Sequence, residues 1–180
     1  MVSDKEILFL FKNDATRERA LKMLMDKYQQ RLYAHIRRMV VMHNDADDVM
    51  QNTFIKVWKG LHKFKSESQL YTWLYRIASN EALTFLAQKK KKFATSLQDV
   101  EHDLSNRIAA DEQFDGDAIQ LKLQQALLTL PEKQRQTFNM RYFDDLKYDE
   151  MSVILETSVG ALKANYHHAV KKIEKYFSEH

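Results

Sequence analysis

Apolar residues along this chain recur at helical spacing. Over residues 17–40, Leu21, Leu24, Met25, Tyr28, Leu32 and Ile36 follow steps of three and four, which predicts one long helix. His43, Asn44 and Asp45 interrupt it, and Asn44 or Asp45 can cap the next helix. Over residues 45–61, Ala46, Val49, Met50, Thr53, Phe54, Val57, Trp58 and Leu61 define that second helix with a broad buried face. Asp45, Asp47 and Asp48 fall in or beside its first turn, where the helix dipole favours acids. Ile55 breaks this pattern. It projects from the outer face, within two turns of Asp48, Gln51, Asn52 and Lys59. Lone exposed apolar residues are common, but an apolar anchor ringed by polar groups is also what a protein-docking face needs.

A polar connection precedes a third helical segment that is apolar nearly all round, with Leu70, Trp73, Leu74, Ile77 and Ala78 on one face and Tyr71, Tyr75, Ala82 and Phe85 on others. Such a helix belongs at the centre of a bundle. Its tyrosines also stand beside Arg76, Lys63 and Lys65. Aromatics interleaved with bases can stack unpaired nucleobases and hold their phosphates. A second body begins at residue 119. Pro131 suits a first helical position, where no N–H is required, and the helix after it should bury Phe138 and Tyr142. Next comes a short apolar stripe, Tyr148, Met151, Ile154 and Leu155. The turn Glu156-Thr157-Ser158 ends in a good N-cap. The last helix buries Val159, Leu162, Tyr166, Ala169, Val170, Ile173 and Phe177.

Short helix, tight turn, longer basic helix is helix-turn-helix geometry, in which the start of the second helix enters the major groove. Gly160, Ala161 and Ala164 are small enough for close approach. Ala164 can touch a thymine methyl, Lys163 can donate to guanine and Asn165 can pair with adenine. His167, His168, Lys171 and Lys172 can reach phosphates. The same pattern also suits an ordinary helical hairpin with a lysine-coated face.

Composition narrows the classes. With 3 glycines and 1 proline in 180 residues, of which 44% are hydrophobic, the chain should be all-α and form one domain or two small ones. The absence of cysteine excludes disulfides, thiolate metal sites and thiol nucleophiles, and agrees with a reducing cytosol. No apolar run approaches the roughly 20 residues of a membrane span, and the start of the chain lacks the basic region and cleavage site of a signal peptide. A cytoplasmic protein without membrane insertion is expected. The net charge of +3 is unevenly spread: residues 93–118 carry a net −6, which leaves +9 on the two flanking bodies. Basic bodies joined by an acidic segment fit a polyanionic partner, or a solvated surface with a disordered linker. No phosphate-binding glycine loop, HExxH motif or nucleophile elbow occurs. The adjacent His167 and His168 diverge on a helix and cannot share a metal as i, i+4 pairs do. No enzyme, cofactor or metal is expected.

Taken together, the stretches "DADDVMQNTFIKVWKGLHKF…TWLYRIASNEA" and "LLTLPEKQRQTFNMRYFDDLKYDEMSVILETSVGALKANYHHAVKKI" resemble, in order and spacing, the two characteristic regions of extracytoplasmic-function (ECF) sigma factors. The resemblance implies an N-terminal domain (1–92), a flexible acidic linker (93–118) and a C-terminal helix-turn-helix domain (119–180). It implies core RNA polymerase as partner, with Asp47, Asp48, Gln51, Asn52 and Ile55 docking on the β′ clamp helices and the second body touching the β flap. It further implies that Lys63, Phe64, Lys65, Ser66, Ser68, Tyr71, Tyr75, Arg76, Ser79 and Asn80 read and melt the minus-ten element. There a base that leaves the stack is captured, offsetting an unstacking cost of a few kcal/mol. Tyr148, Ser158, Val159, Gly160, Ala161, Lys163, Ala164, Asn165, His167, His168 and Lys171 would read the minus-thirty-five duplex, and an anti-sigma factor would be a further partner.

The chain departs from the family pattern at named positions. Ser79, Asn165 and His168 stand where arginine is common, and Glu156 takes a turn position usually given to glycine. If that site needs positive φ, Glu156 costs about 1 kcal/mol. Two other readings compete: an autonomous helix-turn-helix regulator with a helical sensor domain, and an adaptor whose basic faces bind acidic proteins. A sensor needs a pocket rather than a docking face, which the outward Ile55 disfavours. An adaptor predicts no salt-steep DNA affinity.

Overall fold

A computed structural model describes residues 2–92 and 118–180. These residues are helical, without strands. The acidic stretch 93–117 lies outside the described residues, and Ala118, expected to end it, is already helical. The chain divides into two compact units, Met1–Ala87 and Gln88–His180.

In the first unit, α1 (Asp4–Phe11) is capped by Ser3, whose Oγ accepts from the Glu6 N–H at 3.2 Å. Ile7 and Phe11 turn inward. Asp4 ties α1 to α2 (Arg17–Val40): its carboxylate takes the Lys27 ammonium and the Tyr28 hydroxyl, each at 2.7 Å. Burial, and then this hydrogen bond, push the Tyr28 hydroxyl above the ordinary tyrosine range. The stripe Ala20, Leu24, Tyr28, Leu32, Ile36 and Met39 gives α2 one continuous buried face. Leu21 and Met25, expected in that stripe, are only half-buried. Val41 turns the chain with φ 73°, and α3 (His43–Gly60) begins two residues later. This quick turn moves the helix start ahead of the expected caps. Met42 holds the cap position without a side-chain bond, and Asn44 and Asp45 lie inside the first turn. A 3-10 turn (Leu61–Lys63) leads through a loop to α4 (Leu70–Lys92). Leu70, Leu74, Tyr75, Ala78, Ser79 and Ala82 of α4 are all buried. Glu81, also buried, pairs with Lys56 of α3.

The second unit centres on its last helix. It comprises α5 (Ala118–Leu128), α6 (Glu132–Tyr142), α7 (Tyr148–Leu155) and α8 (Val159–Glu179), and the first three each pack on α8. Leu127, Leu130, Phe138 and Ala169 form the buried core, with Tyr166, Val170 and Ile173 against it. Pro131 caps α6 from outside, with ψ 142°, so the helix starts at Glu132. Phe138 is buried as expected. Tyr142 is not: its ring stacks on Phe138 at 5.1 Å, yet the residue is 58% exposed.

Glu156 adopts φ 51° and ψ 41°, a left-handed conformation that closes α7. This turn geometry is the one glycine serves without strain, and a residue with a Cβ costs about 1 kcal/mol there. Glu156→Gly is therefore expected to stabilise the second unit by about 1 kcal/mol in chemical denaturation. Unchanged or lower stability would show that the turn stores no strain.

Candidate docking and nucleic-acid interfaces

Helices α2 and α3 lie side by side and leave a groove of about 900 Å³ along their outer faces. Ile55, 46% exposed, stands on its wall with Asp47 and Gln51. Asp48 and Asn52 are exposed on the same helix. The opposite wall is α2, through Leu21, Met25, Gln29 and Tyr33. The helical spacing alone assigns Leu21 and Met25 to the core stripe and does not mark this wall as part of a docking face. Both residues sit one position on from the buried line Ala20, Leu24 and Tyr28, which turns them toward the groove. His43, at the start of α3, lies 3.5 Å from the Asp47 carboxylate and is hydrogen-bonded to the Tyr33 hydroxyl. It holds the acidic end of the groove in place.

The loop between the 3-10 turn and α4 carries the second set. Lys63, Lys65 and Ser66 are exposed, Ser66 with φ 59°, and Ser68 is half-buried. Phe64 leans on Trp73, with ring centroids 5.4 Å apart. On α4, Tyr71 is half-buried while Arg76 and Asn80 are exposed. Two expectations are corrected here. Tyr75 is 1% and Ser79 0% exposed. Ser79 Oγ is 2.9 Å from the Nε2 of His35, itself fully buried on α2, and the Tyr75 ring lies 4.9 Å from the same imidazole. Both side chains fasten α4 to α2 and face away from any solvent-borne ligand. Their inward turn follows from His35, which sits three residues after Leu32 on the buried stripe and needs a polar neighbour there.

In the helix-turn-helix, Ser158 Oγ accepts from the Ala161 N–H at 3.2 Å, so its hydroxyl is occupied in capping α8. Gly160, Ala161, Lys163, Ala164, His167, His168 and Lys171 form an exposed surface, with Val159 and Asn165 half-buried beside it. A Cβ built on Gly160 meets nothing within 4 Å, so no packing within the chain requires glycine. Tyr148 is half-buried and lies beneath two cations: the Lys163 ammonium 5.8 Å and the Arg141 guanidinium 5.5 Å from its ring centre. Arg141 also donates to the Leu146 carbonyl at 3.1 Å. Nothing in the spacing of α6 marks Arg141, because it reaches Tyr148 only through the fold. Among the described residues, no three metal-ligating side chains converge.

The chain is similar to known sigma factors in both units. The sigma-70 region 2 family model matches residues 24–92, and the sigma-70 region 4 model matches residues 120–173. The RNA polymerase sigma-H factor of Pseudomonas aeruginosa is 31% identical over 166 residues, 88% of this chain and 86% of that protein. The ECF RNA polymerase sigma-E factor of Escherichia coli is 30% identical over 165 residues, 87% and 86% of the two chains. Two solved structures share the fold. CnrH in complex with the cytosolic domain of CnrY has a TM-score of 0.70, 20% identity, and coverage of 98% of this chain and 99% of that one. RpoE in complex with the anti-sigma factor NepR from Bartonella quintana has 0.66, 20% identity, and coverage of 87% and 96%. The chain belongs to the family of ECF RNA polymerase sigma factors.

Proposed function

We propose that the α2–α3 groove is the seat of core RNA polymerase, and that the loop with α4 and the surface of α8 divide promoter recognition between them. The observation that carries this reading is Ile55, an exposed isoleucine on the wall of a groove whose polar lining is Gln29, Gln30, Tyr33, Asp47 and Gln51. Apolar burial at the centre with a polar rim is the composition of a protein interface. The acids Asp47 and Asp48, just past the first turn of α3, are exposed and available to basic groups on the β′ clamp helices.

For the minus-ten element, the surface set is Lys63, Phe64, Lys65, Ser66, Ser68, Tyr71, Arg76 and Asn80, with Tyr75 and Ser79 supporting it from the core. Captured bases would stack on Phe64 and Tyr71 while the lysines hold phosphates. For the minus-thirty-five element, Lys163 is the strongest candidate for a base contact, since Tyr148 beneath it limits the directions the ammonium can take. Lys163→Ala is expected to lower the preference for promoters with the cognate upstream element about tenfold, from the 1–3 kcal/mol that a good base contact contributes. An unchanged promoter ranking in run-off transcription removes that role.

The chain would act without catalysis or cofactor, in the cytoplasm with the polymerase, and an anti-sigma protein is proposed as a further partner. The region 2 match separates this reading from an autonomous helix-turn-helix regulator. A pull-down with core polymerase tests it directly: an autonomous regulator leaves the polymerase behind, whereas a sigma factor retains it and directs a start site in vitro.

A further inference from the structure

Helix α1 and the start of α2 lie ahead of the residues matched by the region 2 family model, yet they pack onto the part of the chain that leads into the minus-ten loop. Arg17 is the centre of this packing. Its guanidinium lies 4.7 Å from the ring centre of Phe11 and 4.6 Å from that of Trp58, between two rings that meet edge to face at 5.5 Å. Its Nη2 is 3.4 Å from the Trp58 carbonyl. That carbonyl belongs to the last turn of α3, where unpaired acceptors and the helix dipole both favour a cation. The side chain is only 27% exposed, and its acidic neighbour Asp14 is almost wholly in solvent at 3.8 Å. The Nε is buried with no hydrogen-bond partner. Aromatic faces and a helix end hold this arginine, and its ion pair contributes little.

Two residues beyond Trp58 the chain reaches Gly60, where a Cβ would come within 3.3 Å of the Trp73 ring. Trp73 in turn supports Phe64, the aromatic residue of the loop. Helix α1 also touches the 3-10 turn Leu61–Lys63 from which that loop departs. The direction of α3's last turn sets where Gly60 meets Trp73, and Trp73 sets where Phe64 stands.

We propose that Arg17 is a positioning residue for promoter opening: wedged between Phe11 and Trp58, it fixes the end of α3 and, through Gly60 and Trp73, the placement of Phe64 for a captured base. This rests on the proposed role of the loop. Arg17 itself touches no DNA. Lysine cannot replace it fully, because an ammonium is compact and strongly hydrated and lacks the planar guanidinium that stacks on an aromatic face.

The test uses the full chain assembled with core polymerase on a promoter selected from a library by the wild-type holoenzyme. The duplex carries 2-aminopurine in the non-template minus-ten strand to report unstacking. Arg17→Met is expected to lower opening about five- to tenfold, the scale of one to two lost cation–π contacts, and to lower core affinity less than opening, although Trp58 also lines the α2–α3 groove. The protein's two tryptophans, Trp58 and Trp73, both lie in this chain of contacts. Their emission should shift in Arg17→Met, and the quench on adding a single-stranded minus-ten oligonucleotide should weaken. Opening at the wild-type level, or opening and core affinity falling equally, overturns the proposal. If Arg17→Met is not folded, Arg17→Lys decides: a selective loss of opening supports the proposal, and wild-type opening ends it. Phe64→Ala, run in parallel, separates the two readings. Normal opening in Phe64→Ala removes the loop's role itself, whereas impaired Phe64→Ala with normal Arg17 variants removes only the wedge.

Discussion

Ile55→Asp should abolish promoter-directed transcription while leaving the protein folded. Ile55 is half in solvent, so its replacement removes little buried area, and a surface change of this kind ordinarily shifts stability by no more than about 0.5 kcal/mol. The new carboxylate would stand four residues before Lys59, a spacing that favours an acid–base pair on a helix. Docking is affected in the opposite sense. A partner helix seated in the α2–α3 groove would cover Ile55 together with Leu21 and Met25 across it. A carboxylate placed there loses its water on docking and removes the apolar contact that Ile55 makes. Central anchors of an interface contribute about 2 kcal/mol or more, and desolvating the charge adds to the loss. A total of roughly 3 kcal/mol corresponds to about a hundredfold weaker core binding. The measurement pairs thermal melting with core pull-down and run-off transcription. Wild-type core affinity in a folded Ile55→Asp protein would move the polymerase site elsewhere on the chain.

The outward Ile55 was legible because it violates the period of an otherwise regular helix. Helix α2 was legible to the residue, 17–40, because its apolar stripe persists for more than six turns. Ser158 as N-cap was legible because turn chemistry is local, whereas Glu156 as the strained turn residue was legible only through the family resemblance, in which glycine is usual there. Helix α1 was missed, although Ser3 and Glu6 form the S-x-x-E signature of a helix start, because eight residues give the apolar pattern little room. Which faces meet was not legible. In α4 nearly every face is apolar, so the sequence does not say which side turns to α2. The second wall of the docking groove and the Arg141–Tyr148–Lys163 stack arise from pairs of helices, and neither helix alone encodes the contact.

The same ambiguity gives Ser79 its diagnostic value. The family resemblance sets an arginine against this position, so Ser79→Arg invites the expectation of a stronger hold on DNA. The geometry gives the opposite sign. Ser79 is fully buried with its Oγ against the His35 imidazole, and Ala78 and Ala82 beside it are fully buried as well. An arginine here must displace packed neighbours, removes the hydroxyl that bonds His35 and leaves its charge beside that buried ring. Overpacking and an unpaired buried charge together cost about 3–5 kcal/mol, a large part of a small unit's stability. Ser79→Arg is therefore expected to lower the melting temperature steeply and to lose core binding and transcription together. Ser79→Ala, which gives up one hydrogen bond at about 1 kcal/mol, should keep promoter choice intact at moderate temperature. A Ser79→Arg protein that melts like wild type and binds the minus-ten strand more tightly would place residue 79 on the DNA face.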